Sequence, residues 1–484
     1  MTGLDARRCW HHFEALTRVP RPSRHEEEVI EHVRAWAARN GLPTRQDAAR
    51  NLVVCVPATA GRETAATVIL QGHLDMVCER LPDSPNDPAE GRIALLRDGD
   101  WLTADGTTLG ADHGIGIAAM MALAEDAPLP HGPLELLMTV GEEVGGEGVG
   151  AGGLDPSIVT GTTLLNLDSE EDGALTVGSA SSTDSDIRAD EPRAPCRAGE
   201  RWLSVSVSGG LGGHSGIDIA RGRANAIKVL ARVLREAIVV TPFRLASLTG
   251  GKSSNAIPRD ATAICSLSPG REAVFRAAAE TAVTAIADAY AKTDPDVTVT
   301  VSGAPGQADA WTDGGTRAVL DLITVVPSGP LAMSPDFDGL VETSTSVGRA
   351  VTDGATFTLH SLSRSSNASA LPDVMATLDA SARLAGGTLV IGQADPGWRP
   401  DLDSRVLTVT RRVHERLFGH APIVTAVHAW LETAVIGQRV PGLDMISFGP
   451  QIEAAHSPDE RVSIPTVERF WRLLAGVVDE LSAA

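Results

Sequence analysis

Cysteine is scarce in this chain of 484 residues, and its pattern excludes several kinds of site. The five cysteines are scattered, and no two of them have the CxxC spacing that zinc ribbons and thiol redox motifs use. An odd, dispersed set also argues against a disulfide framework and favours a reducing compartment. The cysteines therefore predict neither a disulfide-stapled fold nor a cysteine-based zinc site.

Basic residues are also under-represented. Lys and Arg number 41 against 62 Asp and Glu, so the net charge is -21. Nucleic acids and anionic membranes need a basic face, so neither is expected as a partner. No apolar run approaches the length of a membrane-spanning helix, and residues 1–24 lack the apolar core of a signal peptide. We therefore expect a cytoplasmic protein whose acidity serves solubility.

The length of the chain predicts two or three domains. In the first part, apolar strand-like runs alternate with helical patterns, which indicates an α/β layer structure. Residues 179–200 are rich in Ser, Asp and Pro and predict a loop or connection, after which further strands and helices indicate a separate α+β unit. We therefore predict a mixed-sheet α/β catalytic domain in two parts, 1–181 and 393–484, interrupted by an inserted domain over 182–392.

The segment His73-Leu74-Asp75 is the first candidate for function. It ends an apolar strand-like run, and residues two apart on a strand project to the same face. His73 and Asp75 should therefore emerge side by side at a strand end, where α/β enzymes build their sites. A histidine there is a natural zinc ligand, and the carboxylate beside it could orient it. Taken alone, the tripeptide could equally be an ordinary polar cap.

Four further polar clusters follow predicted strands or their loops. They contain Asp112 before a helix of small residues, Glu142-Glu143 after the run 134–140, Asp168 after the run 164–167, and His456 after the run 445–448. Each has a plainer interpretation as a helix N-cap, a solvated turn, an acidic loop or a loop histidine. Because the ends of parallel strands converge at one edge of a sheet, the joint pattern favours a single site. Two histidines with several carboxylates suit a two-metal hydrolytic centre, in which one tandem glutamate binds metal and the other is the general base.

Five segments that carry these residues resemble the Xaa-His dipeptidases, a carnosinase-like branch of the dizinc metallopeptidases related to carboxypeptidase G and the aminoacylases. The segments are Gln71-Gly72-His73-Leu74-Asp75-Met76-Val77, Thr107-Thr108-Leu109-Gly110-Ala111-Asp112, Glu142-Glu143-Val144-Gly145, Asn166-Leu167-Asp168-Ser169-Glu170 and Ala455-His456-Ser457-Pro458-Asp459-Glu460. The resemblance spans nearly the whole chain and implies a dizinc-peptidase catalytic domain with an inserted lid and dimerisation domain. It further implies a homodimer that hydrolyses short peptides with two divalent ions, of which zinc is expected and manganese or cobalt are alternatives.

The resemblance implies a role for each matched residue. His73, Asp112 and Asp168 would hold one metal, Asp112 would bridge to a second metal held also by Glu143 and His456, Asp75 would orient His73, and Glu142 would be the general base. In the inserted domain, His214 would stabilise the oxyanion, in cis or from the partner subunit of a dimer, and Asn255 would contact substrate. Arg364 would bind the substrate's C-terminal carboxylate, although its local sequence also suits a surface arginine. Glu432 lies in a segment that the resemblance implies could line the substrate pocket.

The chain departs from the family pattern at three positions. His113 stands where the family usually has Asn, Trp430 replaces a Gly, and Thr433 replaces a Cys. A histidine beside the metals could add a ligand or change the hydrogen bonds of Asp112. A large indole could narrow or reshape the specificity pocket, so these positions bear on the preference for Xaa-His substrates.

Three other functions are compatible with parts of the sequence. An amidohydrolase for N-acyl amino acids or another small amide would use the same metal site. A nucleotide-binding oxidoreductase is suggested by the GxGxxG match at 148–153, but no long helical pattern opens at the third glycine, and Glu142-Glu143 would repel phosphate. A non-catalytic binding protein on the same fold would not need the metal and base positions, all of which are present.

Overall fold

The computed structural model describes residues 6–125, 129–144 and 148–483. Gly145 of the third family-like segment lies outside the described residues. The chain divides into two compact units, of which unit 1 comprises Met1–Gly178, Trp398–Ala426 and Leu431–Ala484, and unit 2 comprises Ser179–Gly397 and Val427–Trp430. Within the described residues, no helix combines the length and apolar character needed to cross a membrane.

Helices occur in both units. Those of the described residues are α1 (Arg7–Leu16), α2 (Glu27–Arg39), α3 (Ala111–Glu125), α4 (Ala226–Val240), α5 (Glu272–Tyr290), α6 (Asp313–Val325), α7 (Leu371–Leu384), α8 (Arg405–Phe418), α9 (Glu432–Arg439) and α10 (Ile464–Ser482). Several begin at a polar residue that accepts the unpaired amides of the first turn, as when the Asn225 side chain accepts from the backbone N–H groups of Ile227 and Lys228.

The strands are numbered along the chain in the same way. Those of the first part are β1 (Thr44–Gln46), β2 (Leu52–Val56), β3 (Val68–His73), β4 (Leu95–Asp98), β5 (Trp101–Ala104), β6 (Leu134–Thr139), β7 (Thr163–Asn166) and β8 (Ala174–Ser179). Those that follow are β9 (Ser181–Asp190), β10 (Arg193–Pro195), β11 (Arg201–Ser208), β12 (Gly213–His214), β13 (Phe243–Gly250), β14 (Ala256–Ile257), β15 (Ala261–Leu267), β16 (Thr298–Gly303), β17 (Asp309–Trp311), β18 (Gly329–Met333), β19 (Val341–Asp353), β20 (Thr356–Ser365) and β21 (Thr388–Asp395). The last are β22 (Ile423–Val427), β23 (Asp444–Ser447), β24 (Ile452–Glu453) and β25 (Arg461–Ser463).

The eight-stranded sheet of unit 1 determines where its polar residues emerge. Its strand order is β1-β2-β6-β3-β7-β23-β8-β22. The neighbours β6, β3, β7 and β23 are parallel, whereas β2 and β8 pair antiparallel with this group, so the sheet is mixed. Strands β3 and β6 are buried along their whole length, which explains their continuous apolar runs. Four adjacent parallel strands therefore open their carboxyl ends at one edge, and the predicted α/β class is confirmed.

Unit 2 is built on a nine-stranded sheet with strand order β16-β11-β15-β13-β19-β20-β9-β21, to which β18 adds by pairing with β19. The pairs are antiparallel. One apolar core joins α4, α5, α6 and α7 to this sheet and includes the buried rings of Phe275, Trp311 and Phe357.

The prediction that residues 179–200 form a loop is wrong for most of that segment. β9 lies inside the sheet of unit 2, between β20 and β21. Its first buried positions are hydroxyl residues, among them Ser181, Ser182, Thr183 and Ser185. Their polar groups are satisfied within the strand layer, as when Ser181 Oγ donates to the Ser365 carbonyl at 2.7 Å. Small, hydrogen-bonded side chains here replace the apolar residues by which a buried strand is normally recognised.

Candidate metal centre

The parallel strands of unit 1 carry four of the candidate segments at their carboxyl ends. His73 is the last residue of β3, Glu142 and Glu143 follow β6, and Asp168 follows β7. His456 lies in the chain that follows β23, in the turn between β24 and β25. Asp112 comes from the kinked start of α3, where its backbone has the non-helical angles φ -77° and ψ 112°. Strand ends and one helix start therefore supply the whole set, as expected for an open α/β sheet.

Asp112 lies between the two histidines. Its Oδ1 is 3.1 Å from His73 Nε2, and its Oδ2 is 3.0 Å from His456 Nε2. His73 Nε2 also lies 3.5 Å from Asp168 Oδ1, and His456 Nε2 lies 2.9 Å from Glu143 Oε2. One carboxylate thus offers a separate oxygen to each of two clusters, which is the arrangement that a bridging ligand between two ions requires.

The residues present fit divalent metal ions. Ligand atoms of His73, Asp112 and Glu143 lie within 4.8 Å of one another. Glu143 Oε1 is buried and has no hydrogen-bond partner in the described chain, so one carboxylate oxygen is available for a cation. Imidazole nitrogen with carboxylate oxygen is the donor set of zinc and manganese sites. The donor chemistry and the orphaned oxygen therefore support a metal centre here.

Electrostatics at this centre favour positive charge. The hydrogen bonds of His456 with Asp112 and Glu143 raise the pKa of its imidazole to about 11. Burial lowers the pKa of His73, but Asp168 and Asp112 outweigh it and raise that pKa well above its usual range. The acids around the two histidines thus favour a cation at each of them.

Asp75 lies next to the ring of His73, on the side away from Asp112. His73 Nδ1 is hydrogen-bonded to the Asp75 backbone carbonyl at 3.2 Å, and Asp75 Oδ1 lies 3.5 Å from the same nitrogen. The Asp75 carboxylate accepts the backbone N–H groups of Glu142 and Glu143 at 3.1 and 3.3 Å, and the Ser23 hydroxyl at 2.8 Å. Asp75 therefore joins the ring of His73 to the turn that carries the tandem glutamates.

Glu142 is partly buried beside the same cluster. Removal from water raises the pKa of its carboxyl well above the usual range; the charge of His73 opposes this rise, and the negative charges of Asp168, Glu432 and Glu143 add to it. A carboxyl with a raised pKa can both take and return a proton near neutral pH. Glu432 lies deeper, at 3% exposure, where its Oε2 accepts from Gln71 Nε2 at 2.6 Å and from Thr139 Oγ1 at 2.7 Å. Burial raises the pKa of Glu432 to about 7.

His113 is buried next to the centre, at 2% exposure, without forming part of it. Neither ring nitrogen has a hydrogen-bond partner in the described chain, and Nε2 lies 3.9 Å from Asp168 Oδ1. The ring is enclosed by two glycines, since a Cβ on Gly72 or on Gly116 would lie 2.0 Å from one of its nitrogens. His113 therefore makes no hydrogen bond to the carboxylate of Asp112, and the small residues flanking it are required by its volume.

The candidate residues of unit 2 form a second polar group. His214 Nδ1 accepts the backbone N–H groups of Gly216 and Ile217 at 3.2 and 3.1 Å, so the neutral ring carries its proton on Nε2. Arg364 is only 5% exposed, and its Nε is buried without a hydrogen-bond partner in the described chain. The interpretation of Arg364 as a surface residue is therefore wrong. Asn255 is exposed, and its side-chain oxygen accepts from Ser253 Oγ at 2.5 Å.

His428 belongs to the same polar group and was not among the candidates. It is 5% exposed, and its Nε2 lies 2.8 Å from Ser344 Oγ. Burial, followed by the charges of Arg364 and His214, lowers the pKa of His428 to about 4. We call Arg364, His214 and His428 the basic cluster of unit 2. Of the positions that depart from the family pattern, Trp430 is half-buried and Thr433 is buried with its hydroxyl unpaired.

Comparison with known proteins covers nearly all of the chain. The sequence profile of Peptidase family M20/M25/M40 matches residues 69–480. The chain is 34% identical over 485 residues to the cytosol non-specific dipeptidase of Escherichia coli strain K12, covering 100% of this chain and 99% of that protein.

Solved structures give the same result. The aminoacylhistidine dipeptidase from Vibrio alginolyticus matches with a TM-score of 0.89 and 34% identity, over 99% of this chain and 97% of that one. A tripeptidase from Staphylococcus aureus matches with a TM-score of 0.55 at 14% identity, over 99% of this chain and 100% of that one, and shares the fold alone.

Proposed function

The chain belongs to Peptidase family M20/M25/M40, and we propose that it hydrolyses the peptide bond of dipeptides with water activated at two metal ions. The family resemblance drawn from the five segments is confirmed, and the protein is a hydrolase of the metallo-dipeptidase kind. The observation that carries the mechanism is the carboxylate of Asp112, which offers one oxygen to each histidine.

Five side chains would hold the two ions. His73, Asp112 and Asp168 would hold one, and Asp112, Glu143 and His456 would hold the other. Zinc is the ion that we propose, with manganese or cobalt as alternatives, because nitrogen and carboxylate donors suit all three. When bound, such ions make a water acidic enough to lose a proton near neutral pH and polarise the scissile carbonyl.

Glu142 would be the general base. Its raised pKa, which burial and neighbouring acids cause, suits a carboxyl that takes a proton from water and returns it to the leaving amine. Asp75 would keep Glu142 in place through the backbone N–H that it accepts, and would keep His73 oriented through its ring.

Residues of unit 2 would recognise the substrate. Arg364, a buried guanidinium with an unpaired Nε, would bind the C-terminal carboxylate of the dipeptide. His214 would donate its Nε2–H to the oxyanion that forms on the scissile carbonyl, since backbone amides already occupy its Nδ1. Asn255 would contact the substrate from its exposed position. Glu432 would line the substrate pocket, with its carboxylate held in place by Gln71 and Thr139.

We further propose that residues 182–392 serve as a lid and dimerisation domain, and that the protein is a cytoplasmic homodimer. The cytosolic dipeptidase of Escherichia coli supports the cytoplasmic location. Light scattering of the purified protein tests the dimer, because a mass of one chain in solution would contradict it.

Metal analysis combined with a substrate panel tests the function. The panel contains carnosine, other Xaa-His dipeptides, dipeptides without histidine and N-acetyl amino acids. We expect two divalent ions per chain and release of free amino acids from dipeptides, whereas hydrolysis of the N-acetyl amino acids alone would favour the amidohydrolase. A purified chain that binds no metal would favour a non-catalytic binding protein.

A further inference from the structure

A buried carboxylate outside the proposed ligand set lies against the turn that carries Asp112. Glu460 is 2% exposed, and its two oxygens accept four consecutive backbone N–H groups. Oε2 accepts from Leu109 and Gly110 at 2.8 and 2.9 Å, and Oε1 accepts from Ala111 and Asp112 at 2.8 and 3.3 Å. Four amides that converge on one anion form a strong, charge-assisted arrangement.

Arg21 binds a backbone carbonyl group of the same turn. It is 2% exposed, and its Nη2 donates to the Gly110 carbonyl at 2.5 Å. Its Nη1 donates to the carbonyls of Leu74 and Asp75 at 3.1 and 3.0 Å. Gly110 permits this approach because its φ is +70° and a Cβ there would lie 2.4 Å from Nη2.

The Asp112 carboxylate lies beside the two histidines at the end of this turn. A residue at the start of a helix commonly uses its own side chain to accept N–H groups two and three residues further on, which was the plainer interpretation of Asp112. Here the two oxygens of Asp112 lie next to His73 and His456, and Glu460 accepts the N–H groups of the turn that leads up to and includes Asp112. The backbone at Asp112 and His113 is not helical, so α3 alone does not determine the direction in which the Asp112 carboxylate points.

We propose that Glu460 and Arg21 are positioning residues that hold the Asp112 carboxylate between His73 and His456. Glu460 lies four residues after His456 and joins that loop to the turn 109–112. Arg21 joins the same turn to the end of β3, which carries His73. The inference rests on the proposed two-metal site, because Asp112 is the ligand that both ions would share.

This role is tested by measuring the zinc affinity of the purified protein. Zinc is added in competition with a chromophoric chelator, whose absorbance reports how much zinc the protein has taken up. Glu460→Gln keeps the size of the side chain but places an NH₂ group where one carboxylate oxygen now accepts two backbone N–H groups. We expect the zinc affinity of at least one site to fall about 10- to 100-fold, as for other residues that orient metal ligands. At saturating zinc, kcat should fall while KM for a dipeptide stays unchanged, because the residues of unit 2 are not altered.

Glu453→Gln is the matched control. Glu453 is a carboxylate of the same C-terminal segment, 41% exposed and paired with Arg461. This variant should keep the zinc affinity and kcat of the unaltered protein. Arg21→Lys supplies a second measurement, since lysine retains the charge but lacks the planar fork that reaches all three carbonyl groups.

The outcomes separate this inference from the proposed function. A Glu460→Gln protein that melts at a lower temperature but retains full zinc affinity and kcat would overturn the positioning role. If that variant does not fold, unchanged affinity in folded Arg21→Lys would overturn it instead. Fewer than two ions bound by the unaltered protein would contradict the proposed two-metal function, whatever the variants do.

Discussion

Two polar groups, one in each unit, have opposite charge character. The metal centre of unit 1 combines two histidines with five carboxylates, those of Asp75, Asp112, Glu142, Glu143 and Asp168. The basic cluster of unit 2 combines a guanidinium with two histidines whose pKa values are lowered. A group with excess buried charge is stable only if a partner of opposite sign compensates it. The first group is therefore suited to cations and the second to an anion.

The difference also appears in how each histidine is held. In the metal centre, acids raise the pKa of His456 to about 11. In the basic cluster, burial and the neighbouring Arg364 lower the pKa of His428 to about 4. The same side chain therefore lies among acids that attract positive charge, as a proton or as a metal ion, in one unit and is kept neutral without such acids in the other. We expect substitutions on the acidic side to change chemistry and metal binding, and those on the basic side to change substrate affinity.

The largest expected effect comes from removing the general base on the acidic side. Glu142→Gln should lower kcat about 10²- to 10⁴-fold while both ions remain bound, because a proton carrier is lost without loss of a ligand. Steady-state kinetics and metal analysis of the same preparation measure the two quantities. Glu171→Gln is the control, since Glu171 is an exposed acid. Full activity in a folded, metal-loaded Glu142→Gln protein would refute the assignment.

A substitution in the basic cluster of unit 2 should weaken substrate binding and change the rate of the catalysed step much less. Arg364→Lys retains the positive charge but loses the bidentate geometry, and we expect KM for a dipeptide to rise about 100-fold with a smaller change in kcat. The same variant should hydrolyse a dipeptide amide, which lacks the carboxylate, about as well as the unaltered protein does. An equal loss on both substrates would mean that Arg364 does not read the carboxylate.

The sequence predicts the proposed metal ligands more readily than the residues that position them. His73, Asp112, Glu143, Asp168 and His456 could be predicted together because each follows an apolar strand or its loop. Glu460 closes the family-like segment 455–460, but the sequence does not indicate its role, and Arg21 has no signal, since the partners of both are backbone N–H and carbonyl groups of segments distant in sequence. The sequence does not predict a role for His428 either, because only folding brings it to Ser344. β9 was mistaken for a loop because its buried positions are filled by hydroxyl groups that the sheet satisfies.

A variant of Asp75 distinguishes the proposed metal ligands of unit 1 from the residues that only position them. Asp75→Ala should lower kcat about 10- to 100-fold and reduce bound metal much less, because its carboxylate orients His73 and the Glu142 turn without bridging the two histidines. Activity and metal content are measured on one sample, with Ser23→Ala removing a single hydrogen bond to the same carboxylate as the milder comparison. A loss of metal as large as the loss of kcat would place Asp75 among the ligands.

The smallest effect concerns His428 and appears only as pH changes. Its pKa is about 4 in the folded protein, against about 6.5 in an unfolded chain. Between these values the unfolded chain binds a proton that the folded protein does not, so the folded state loses stability as pH falls from 6.5 towards 4. His428→Gln removes this penalty, and at pH 4 it should recover about 3 kcal/mol of the stability that the unaltered protein loses on acidification. Denaturant unfolding of both proteins at pH 7 and pH 4 with chelator present measures the difference.

Exposed His25, changed to Gln, should give no such recovery. Parallel pH profiles for the His428→Gln and unaltered proteins would mean that His428 is protonated in the folded state, and the basic cluster would then not keep it neutral.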